Sequence, residues 1–293
     1  MEDTTLETRR PERKIQELSD QLISQIAAGE VVERPASVVK ELVENAIDAG
    51  ADSVEIRIEG GGIKRIVVSD NGCGIPKDQL ALAVKRHATS KVSNLDELES
   101  VSSLGFRGEA LASIASVSDM KVISRVAGED AFSIADGEIS AASGNKGTRI
   151  EVVDLFYKTP ARRKFLKSEG TEAAYCQTVI ERIALAYPEV AFLFVANGKP
   201  IINLPASSIE ERLTRLMPRD FRDAHRALDA KAPALRLYGW VCLPTVSISM
   251  STGDSFGIRF CLTVFGWLTK MFCTGPASLV IVFSFRWIRI RLT

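Results

Sequence analysis

The residues best suited to chemistry in this 293-residue chain lie between Glu41 and Asp48. Glu41, Asn45 and Asp48 are spaced by four and three positions, and Glu44 lies beside them, so on a helix they form one polar stripe. A row of carboxylates and an amide could serve a nucleotide site, although such a stripe is most often only the solvated face of an amphipathic helix. The segments that follow decide between these two interpretations.

The sequence around this stripe predicts where its helix begins and where it ends. Pro35 is tolerated in the first turn, where a missing N–H costs nothing, and Gly50 can adopt the left-handed conformation that ends a helix. The face opposite the stripe is apolar and consists of Val38, Leu42, Ala46 and Ala49. The sequence therefore predicts a helix of about four turns.

A further carboxylate stands at the end of a predicted strand. Residues 53–59 and 63–70 alternate as two strands do, and the second strand ends at Asp70. Two glycines follow, Gly72 and Gly74, where a flat ligand can approach the backbone closely. Alone, such an Asp-x-Gly sequence is usually only a turn.

A glycine-containing loop comes next, after the sequence RHATSK at residues 86–91. Gly105 and Gly108 precede an apolar helical pattern that begins near Glu109. Free backbone N–H groups and the helix dipole at such a helix start favour a bound phosphate. A Gly-x-x-Gly loop can equally be a flexible connector, so this signal is weak by itself.

Taken in order, these motifs resemble the N-terminal ATPase of the MutL family of DNA mismatch repair proteins. The resemblance runs from about Ile15 to Met250, and its motifs are ELVENAIDAGA, DNGCGIP, HATSK, LGFRGEAL, the Gly-Thr pair at 147–148, and LFYKTPARRKF. The helix asparagine and the DxGxG loop are common to the whole Bergerat-fold (GHKL) superfamily of DNA gyrase B, Hsp90 and histidine kinases. The sequences QIAAGEVVERP, GFRGEAL and TPARRKF are those that point to mismatch repair.

The resemblance implies a fold and a set of residue roles. The fold would be an α/β two-layer sandwich with a mixed sheet and helices on one face, followed by an incomplete second α/β domain of the ribosomal S5-like type. Glu41 would be the general base that polarises the attacking water, and Asn45 would hold Mg²⁺ against the triphosphate. Asp70 would accept a hydrogen bond from the adenine amino group, with support from Thr148.

The other residues that the resemblance places around ATP are Gly72, Gly74, Thr89, Ser90, Lys91, Gly105, Phe106, Arg107 and Gly108. Thr89, Ser90 and Lys91, with the backbone of residues 105–108, would form a lid over the phosphates. In the family this lid orders on ATP binding and drives dimerisation of the N-terminal domains, which closes a clamp on DNA. The implied partners are therefore DNA, a second copy of the chain, a mismatch-recognition protein of the MutS type, and downstream repair enzymes.

The basic residues near the end of the resemblance are candidates for DNA contact. The net charge is zero, so no global field attracts nucleic acid. Arg162, Arg163 and Lys164, flanked by Lys158 and Lys167, nevertheless form a local basic cluster that can contact phosphates. The alternative is that these side chains only solvate the start of a helix.

Cysteine and histidine usage indicates a reducing compartment and no metal cluster. The five cysteines have no C-x-x-C spacing, which fits a cytoplasmic protein, and Cys73 is expected to be a small buried side chain. His87 and His225 are too separated to suggest a metal site. The polar residues 1–14 are expected to be a disordered lead-in without a signal peptide.

The predicted organisation is a lead-in (1–14), an ATPase domain (15–204), the start of a second domain (205–251) and an aberrant apolar tail (252–293). Further strands are predicted at 121–126, 148–155, 191–196 and 235–243, and helices at 169–187 and 209–217. The tail lacks the continuation of the family pattern. It could be a divergent second domain, a membrane anchor or a segment translated out of frame.

The membrane interpretation of the tail is disfavoured, because its uncharged stretch 271–285 is shorter than the ~20 residues that a spanning helix needs. The frameshift interpretation is favoured, because a shifted reading of the same codons permits the family's Leu-Asp-Pro run near residues 286–289. Three functional classes stay open: a working ATPase, a fragment that binds ATP and DNA without hydrolysis, and a chaperone or histidine-kinase relative. GFRGEAL and TPARRKF argue against the last.

Overall fold

The computed structural model describes residues 32–85, 88, 109–217, 219–232, 235–242 and 280–282. Its main element is an eight-stranded mixed sheet with the strand order β5-β4-β3-β6-β2-β1-β7-β8. The strands are β1 (Ser53–Glu59), β2 (Arg65–Asp70), β3 (Asp119–Arg125), β4 (Phe132–Ala135), β5 (Glu138–Ala141), β6 (Gly147–Val153), β7 (Ala191–Ala196) and β8 (Lys199–Leu204). Strands β1 and β7 are parallel, and the other neighbouring pairs of this sheet are antiparallel.

The helices of the described chain pack against this sheet or follow it. They are α1 (Pro35–Asp48), α2 (Lys77–Ala83), α3 (Ala110–Val117), α4 (Pro160–Arg163), α5 (Glu169–Ala186), α6 (Ile209–Leu216) and α7 (Arg219–Ala224), with a 3-10 turn at Gly60–Gly62. A second sheet, ordered β11-β10-β9, contains β9 (His225–Ala232), β10 (Leu235–Cys242) and β11 (Val280–Val282). None of the helices in the described ranges is long and apolar enough to cross a membrane.

One hydrophobic core joins α1, α3 and α5 to a face of the large sheet. Strand residues alternate between the two faces, so Val54, Ile56 and Ile58 of β1 are all buried on the helical side. The other face carries polar pairs such as Arg65 and Glu151, whose Nε and Oε1 atoms are 2.7 Å apart. The predicted mixed α/β sheet with covering helices is therefore confirmed.

Helix α1 begins and ends where the sequence predicts. It starts at Pro35, and its end forms a pair of hydrogen bonds typical of a left-handed glycine cap. The Gly50 N–H donates to the Ile47 carbonyl at 2.9 Å, and the Ala51 N–H donates to the Ala46 carbonyl at 3.1 Å. This fixed end positions the chain that continues into β1.

Several elements were not predicted. Strands β4, β5, β8, β9 and β11 and helices α2 and α7 had no assignment. Strand β2 begins at Arg65 and not at residue 63, because Ile63 keeps helical backbone angles after the 3-10 turn. All four residues of β5 are exposed, so this edge strand has no apolar alternation to reveal it. The predicted strand at 191–196 is confirmed as β7, and the helix predicted at 169–187 is confirmed as α5.

Arg212, which is fully buried, connects α6 to the first sheet and its helices through hydrogen bonds. The Arg212 guanidinium donates to the carbonyl oxygens of Ala184, Pro188, Val190 and Pro205 at 3.2, 2.7, 2.8 and 2.9 Å. Burial lowers the pKa of this guanidinium. Because these carbonyls lie at the end of α5, in the turn after it and just past β8, one side chain joins three segments. The predicted boundary between the ATPase domain and the second domain, at residues 204 and 205, stays a prediction.

The lead-in and most of the tail are outside the described residues. In the range 252–293 only β11 is described, and it pairs antiparallel with β10 through Trp240 opposite Val282 and Cys242 opposite Val280. The strand predicted at 235–243 is confirmed as β10. The frameshift origin of the tail and the S5-like second domain stay predictions.

Candidate functional site

The carboxylate of Asp70 is positioned at the end of β2 by two backbone groups. Its Oδ1 atom accepts the N–H of Gly72 at 2.9 Å and the N–H of Thr148 at 3.2 Å. Burial raises the pKa of Asp70, and these two hydrogen bonds oppose that shift. Because both donors address Oδ1, Oδ2 is the oxygen available to accept from a ligand. The structure thus brings together two residues, Asp70 and Thr148, that are 78 positions apart.

Two glycines allow the strands to approach at this point. A Cβ atom on Gly147, where φ is +111°, would lie 2.1 Å from the Asp70 carbonyl oxygen. A Cβ atom on Gly74, where φ is +78°, would lie 2.3 Å from the Arg125 carbonyl oxygen. Neither position can hold a side chain without moving the backbone. The loop after β2 is therefore clamped between the end of β3 and the start of β6.

The same loop is also attached to the end of α1. The Ala49 carbonyl oxygen accepts the N–H of Cys73 at 2.9 Å and would lie 2.8 Å from a Cβ atom on Gly72. The Asn71 side chain accepts the N–H of Asp52 at 3.1 Å and donates to its carboxylate at 2.5 Å. Sequence analysis missed Asn71. These contacts place the Asp70 loop one helical turn beyond Asn45.

The polar stripe of α1 is not uniformly solvated. Lys40 Nζ lies 2.8 Å from Glu44 Oε2 and 3.4 Å from Glu41 Oε1. The Glu44 side chain is only 12% exposed, whereas that of Glu41 is 26% exposed. Burial raises the pKa of Glu44, which Lys40 partly offsets. Burial would lower the pKa of Lys40, but the hydrogen bond and charge of Glu44 raise it overall. Glu44 therefore holds Lys40, and the more accessible Glu41 can address a ligand.

A buried serine hydroxyl, that of Ser124, contacts both the loop after Asp70 and the start of β6 at Thr148. Ser124 Oγ accepts the N–H of Ile75 at 2.7 Å, donates to the Gly147 carbonyl at 3.1 Å and lies 3.0 Å from Thr148 Oγ1. Sequence analysis missed this residue. The available signal was a polar residue two positions after the buried Val122, on the core-facing side of β3.

The remaining ATP-contact candidates, Thr89, Ser90, Lys91 and residues 105–108, lie outside the described residues. The helix predicted to start near Glu109 is confirmed as α3, which begins at Ala110. No group of three or more histidine, cysteine, aspartate or glutamate side chains that could hold a metal ion occurs in the described part of the chain.

The predicted basic cluster is partly exposed. Arg163 and Lys164 are exposed around the end of α4, whereas Arg162 is half-buried. Beside them Phe165 is 82% exposed, which is unusual for a phenylalanine. Two cations and an aromatic ring are therefore accessible on one short segment.

Lys158, expected to flank this basic cluster, has another role in the structure. Its Nζ donates to the carbonyl oxygens of Ala115 and Ser118 at 3.2 and 3.0 Å. These carbonyls lie at the end of α3, where a cation also interacts favourably with the helix dipole. Lys158 thus stabilises a helix terminus.

The expectation that Cys73 is buried was wrong, and the two described thiols differ sharply. Cys73 is exposed although its backbone N–H is bonded to the Ala49 carbonyl oxygen, whereas Cys176 is buried in α5. Burial raises the pKa of Cys176 to about 12. At pH 8 such a thiol is far less ionised than that of a free cysteine.

We therefore expect iodoacetamide at pH 8 to alkylate Cys73 and to leave Cys176 unmodified over the same period. Mass spectrometry of the peptides after timed quenching would measure both rates. As a control, both cysteines should react at similar rates after unfolding in guanidinium chloride. Equal rates in the native protein would contradict the burial of Cys176.

Comparison with known proteins agrees with this geometry. A family model described as histidine kinase-, DNA gyrase B-, and HSP90-like ATPase matches residues 33–155. The DNA mismatch repair protein MutL of Thiobacillus denitrificans is 54% identical over 239 residues, which are 80% of this chain and 40% of that protein. The MutL of Herminiimonas arsenicoxydans is 52% identical over 255 residues, which are 84% of this chain and 42% of that protein.

A solved structure extends the likeness to the fold. The Aquifex aeolicus MutL ATPase domain complexed with ADP superimposes with a TM-score of 0.54 and 33% sequence identity, covering 76% of this chain and 80% of that one. The chain spans about two fifths of the length of the two MutL relatives but most of this ATPase domain. With the fold, the Asp70 loop and these relatives in agreement, the chain belongs to the MutL family and corresponds to its ATPase-domain region.

Proposed function

We propose that this chain binds ATP and hydrolyses it as a nucleotide-operated switch in DNA mismatch repair. The observation that carries the proposal is the pair of backbone N–H groups, from Gly72 and Thr148, on a single oxygen of Asp70. The second oxygen can accept a hydrogen bond and cannot donate one while the group is ionised. Adenine presents an amino group to such an acceptor, whereas guanine presents an oxygen that the carboxylate would repel.

Magnesium fits the residues of α1 as a partner of the phosphates. Mg²⁺ is usually held by one or two protein oxygens together with substrate phosphates and water, so the side-chain amide of Asn45 could supply the protein ligand. When bound, the ion would neutralise charge on the phosphate oxygens. Asn45 lies one turn before Ala49, whose carbonyl oxygen contacts the Asp70 loop, and one turn after Glu41.

Glu41 is the residue we assign to proton abstraction from water. It lies one helical turn before Asn45, so both side chains project from the same face of α1. Its carboxylate is partly exposed, and the nearby Lys40 is held more closely by Glu44. A carboxylate in this position can orient water toward the terminal phosphate and accept its proton.

The wider functions are proposed from the relatives. Thr89, Ser90 and Lys91, with residues 105–108, would enclose the phosphates, and ATP binding would promote dimerisation of two chains around DNA. Arg163 and Lys164 are exposed and could contact DNA phosphates, while the half-buried Arg162 is less accessible. Interaction with a MutS-type protein and with downstream repair enzymes belongs to the same proposal.

The substitution Asp70→Asn tests the proposal. We expect it to weaken binding of a non-hydrolysable ATP analogue with Mg²⁺ by about 1–3 kcal/mol, because a charged hydrogen-bond acceptor is lost. Titration calorimetry of the full chain would measure both affinities. Asp130→Asn makes the same chemical change on an exposed loop carboxylate and should bind like the original protein. If Asp70→Asn also bound equally well, the adenine assignment would be withdrawn.

A further inference from the structure

The hydroxyl of Ser124 is the feature of the site that the proposed roles do not explain. Ser124 is 2% exposed and lies near the end of β3, which carries none of the residues assigned to nucleotide. Its single Oγ atom nevertheless contacts both segments that form the base site. It accepts the Ile75 N–H from the loop after β2, and it contacts Gly147 and Thr148 at the start of β6.

The hydrogen-bonding capacity of the Ser124 hydroxyl determines whether Thr148 donates or accepts. A serine hydroxyl has one proton to donate and two lone pairs with which to accept. The Ile75 N–H occupies one lone pair, and the proton can go either to the Gly147 carbonyl oxygen at 3.1 Å or to Thr148 Oγ1 at 3.0 Å. All three contacts are hydrogen bonds at the same time only if Ser124 donates to Gly147 and Thr148 donates to Ser124. Ser124 is thereby fully hydrogen-bonded, as a buried hydroxyl must be.

This arrangement leaves the Thr148 hydroxyl with lone pairs and no free proton. Its oxygen is then an acceptor beside the carboxylate of Asp70, whose Oδ1 already accepts the Thr148 N–H at 3.2 Å. Two neighbouring acceptors match an amino group or a water molecule that donates. They do not match a carbonyl oxygen, because that group would face lone pairs on both sides.

We propose that Ser124 is a positioning residue that fixes Thr148 as a hydrogen-bond acceptor and so contributes to selection of adenine over guanine nucleotides. The inference rests on the proposed nucleotide site, and it concerns a residue that acts through Thr148 without touching the base. Ser124 also ties the Asp70 loop to β6, since the Ile75 N–H and Thr148 share the same oxygen atom.

The first test compares Ser124→Ala with a matched buried serine. Ser133 is 3% exposed and its hydroxyl lies 3.0 Å from that of Ser140, in strands β4 and β5 of the same sheet. Ser124→Ala should lower affinity for a non-hydrolysable ATP analogue about 3- to 10-fold, the scale of one hydrogen bond. It should also lower the ratio of ATP affinity to GTP affinity, because the preference for adenine weakens. Ser133→Ala should leave both affinities unchanged. Calorimetric titration of the full chain gives these values.

The second test asks whether Ser124 acts through Thr148. Thr148→Val removes the hydroxyl and keeps the shape of the side chain. In that background Ser124→Ala should lower ATP affinity by a smaller factor than in the original protein, because the hydroxyl that it orients is already absent and only its bonds to the Ile75 N–H and the Gly147 carbonyl are lost. Ser124→Cys leaves no cavity and replaces the strong acceptor by a weak one, so it should shift affinity in the same direction even if the alanine variant folds poorly.

The outcomes separate this inference from the proposed function. If Asp70→Asn loses affinity while Ser124→Ala and Ser124→Cys bind both nucleotides like the original protein, the role of Ser124 is wrong and the nucleotide site stands. Additive effects of Ser124→Ala and Thr148→Val, or an equal loss in Ser133→Ala, would likewise overturn it. If the original protein binds no ATP, the proposed function itself fails.

Discussion

Replacing Glu41 by alanine should slow ATP hydrolysis by roughly 10²- to 10⁴-fold while ATP remains bound with nearly unchanged affinity. A carboxylate that accepts a proton from the attacking water interacts more strongly with the transition state than with the ground state. The structure supports this role because Glu41 is partly exposed on α1, one turn before Asn45, and Lys40 is drawn mainly to Glu44.

The measurement is a steady-state phosphate-release assay at saturating ATP, together with calorimetry for binding. Glu41→Gln should resemble Glu41→Ala, since an amide keeps the size of the side chain but is not a useful base. Glu138→Gln makes the same change on the exposed edge strand β5 and should retain the original rate. Hydrolysis by Glu41→Ala at the original rate would remove Glu41 from the mechanism.

The largest expected effect on stability is that of Arg212→Met, about 3–5 kcal/mol of the free energy of unfolding. The substitution keeps much of the apolar stem but leaves the carbonyl oxygens of Ala184, Pro188 and Val190 without the donor that reaches them in the interior. Buried carbonyl groups that lose their partner keep the full cost of desolvation. Helix α6 would then also lose its attachment to the end of α5.

Urea unfolding followed by circular dichroism would measure this loss. Arg215→Met is the matched control, because Arg215 is on the same helix but exposed, and its free energy of unfolding should change by less than about 0.5 kcal/mol. Arg212→Lys should also be destabilised, since one ammonium cannot reach the carbonyls that the planar guanidinium bridges. Equal unfolding midpoints for Arg212→Met and Arg215→Met would show that the buried arginine contributes nothing to stability.

Arg212 shows a limit of local sequence patterns. The helix at Ile209–Leu216 is predicted from its sequence, and its N-terminal cap is formed by Ser208, whose Oγ accepts the Glu211 N–H at 3.2 Å. An arginine on a short charged helix is normally solvated. Its burial depends on carbonyl groups from three other segments, and the sequence of α6 alone cannot indicate that these groups lie nearby.

Lys158 and Glu44 illustrate the same limit for charged groups. Both were interpreted from neighbours in sequence, Lys158 as part of a basic cluster and Glu44 as part of a polar stripe that could serve a nucleotide site. The structure pairs Lys158 with the end of α3, about forty residues away, and makes Glu44 the mostly buried partner of Lys40. A charge takes its role from the groups within a few ångströms, and these are set by packing.

The sequence by itself determined the parts of this protein that depend on near neighbours along the chain. The limits of α1 follow from Pro35 and Gly50, and the position of Asp70 follows from the alternation of β2 and the turn after it. The family motifs then assigned roles to Glu41 and Asn45. Each of these signals lies within one helix, one strand or one turn, where side-chain period and backbone preference are sufficient.

Only the tertiary structure decided how the site is assembled. Ser124 lies on β3, Thr148 on β6 and Asp70 on β2, and the sheet order β3-β6-β2 makes them neighbours. The close approach at Gly74 and Gly147 depends on the same order. Strand pairing between distant segments is set by the burial of the whole sheet face against α1 and α5. No local pattern can specify it, because the energy of that burial belongs to all the segments together.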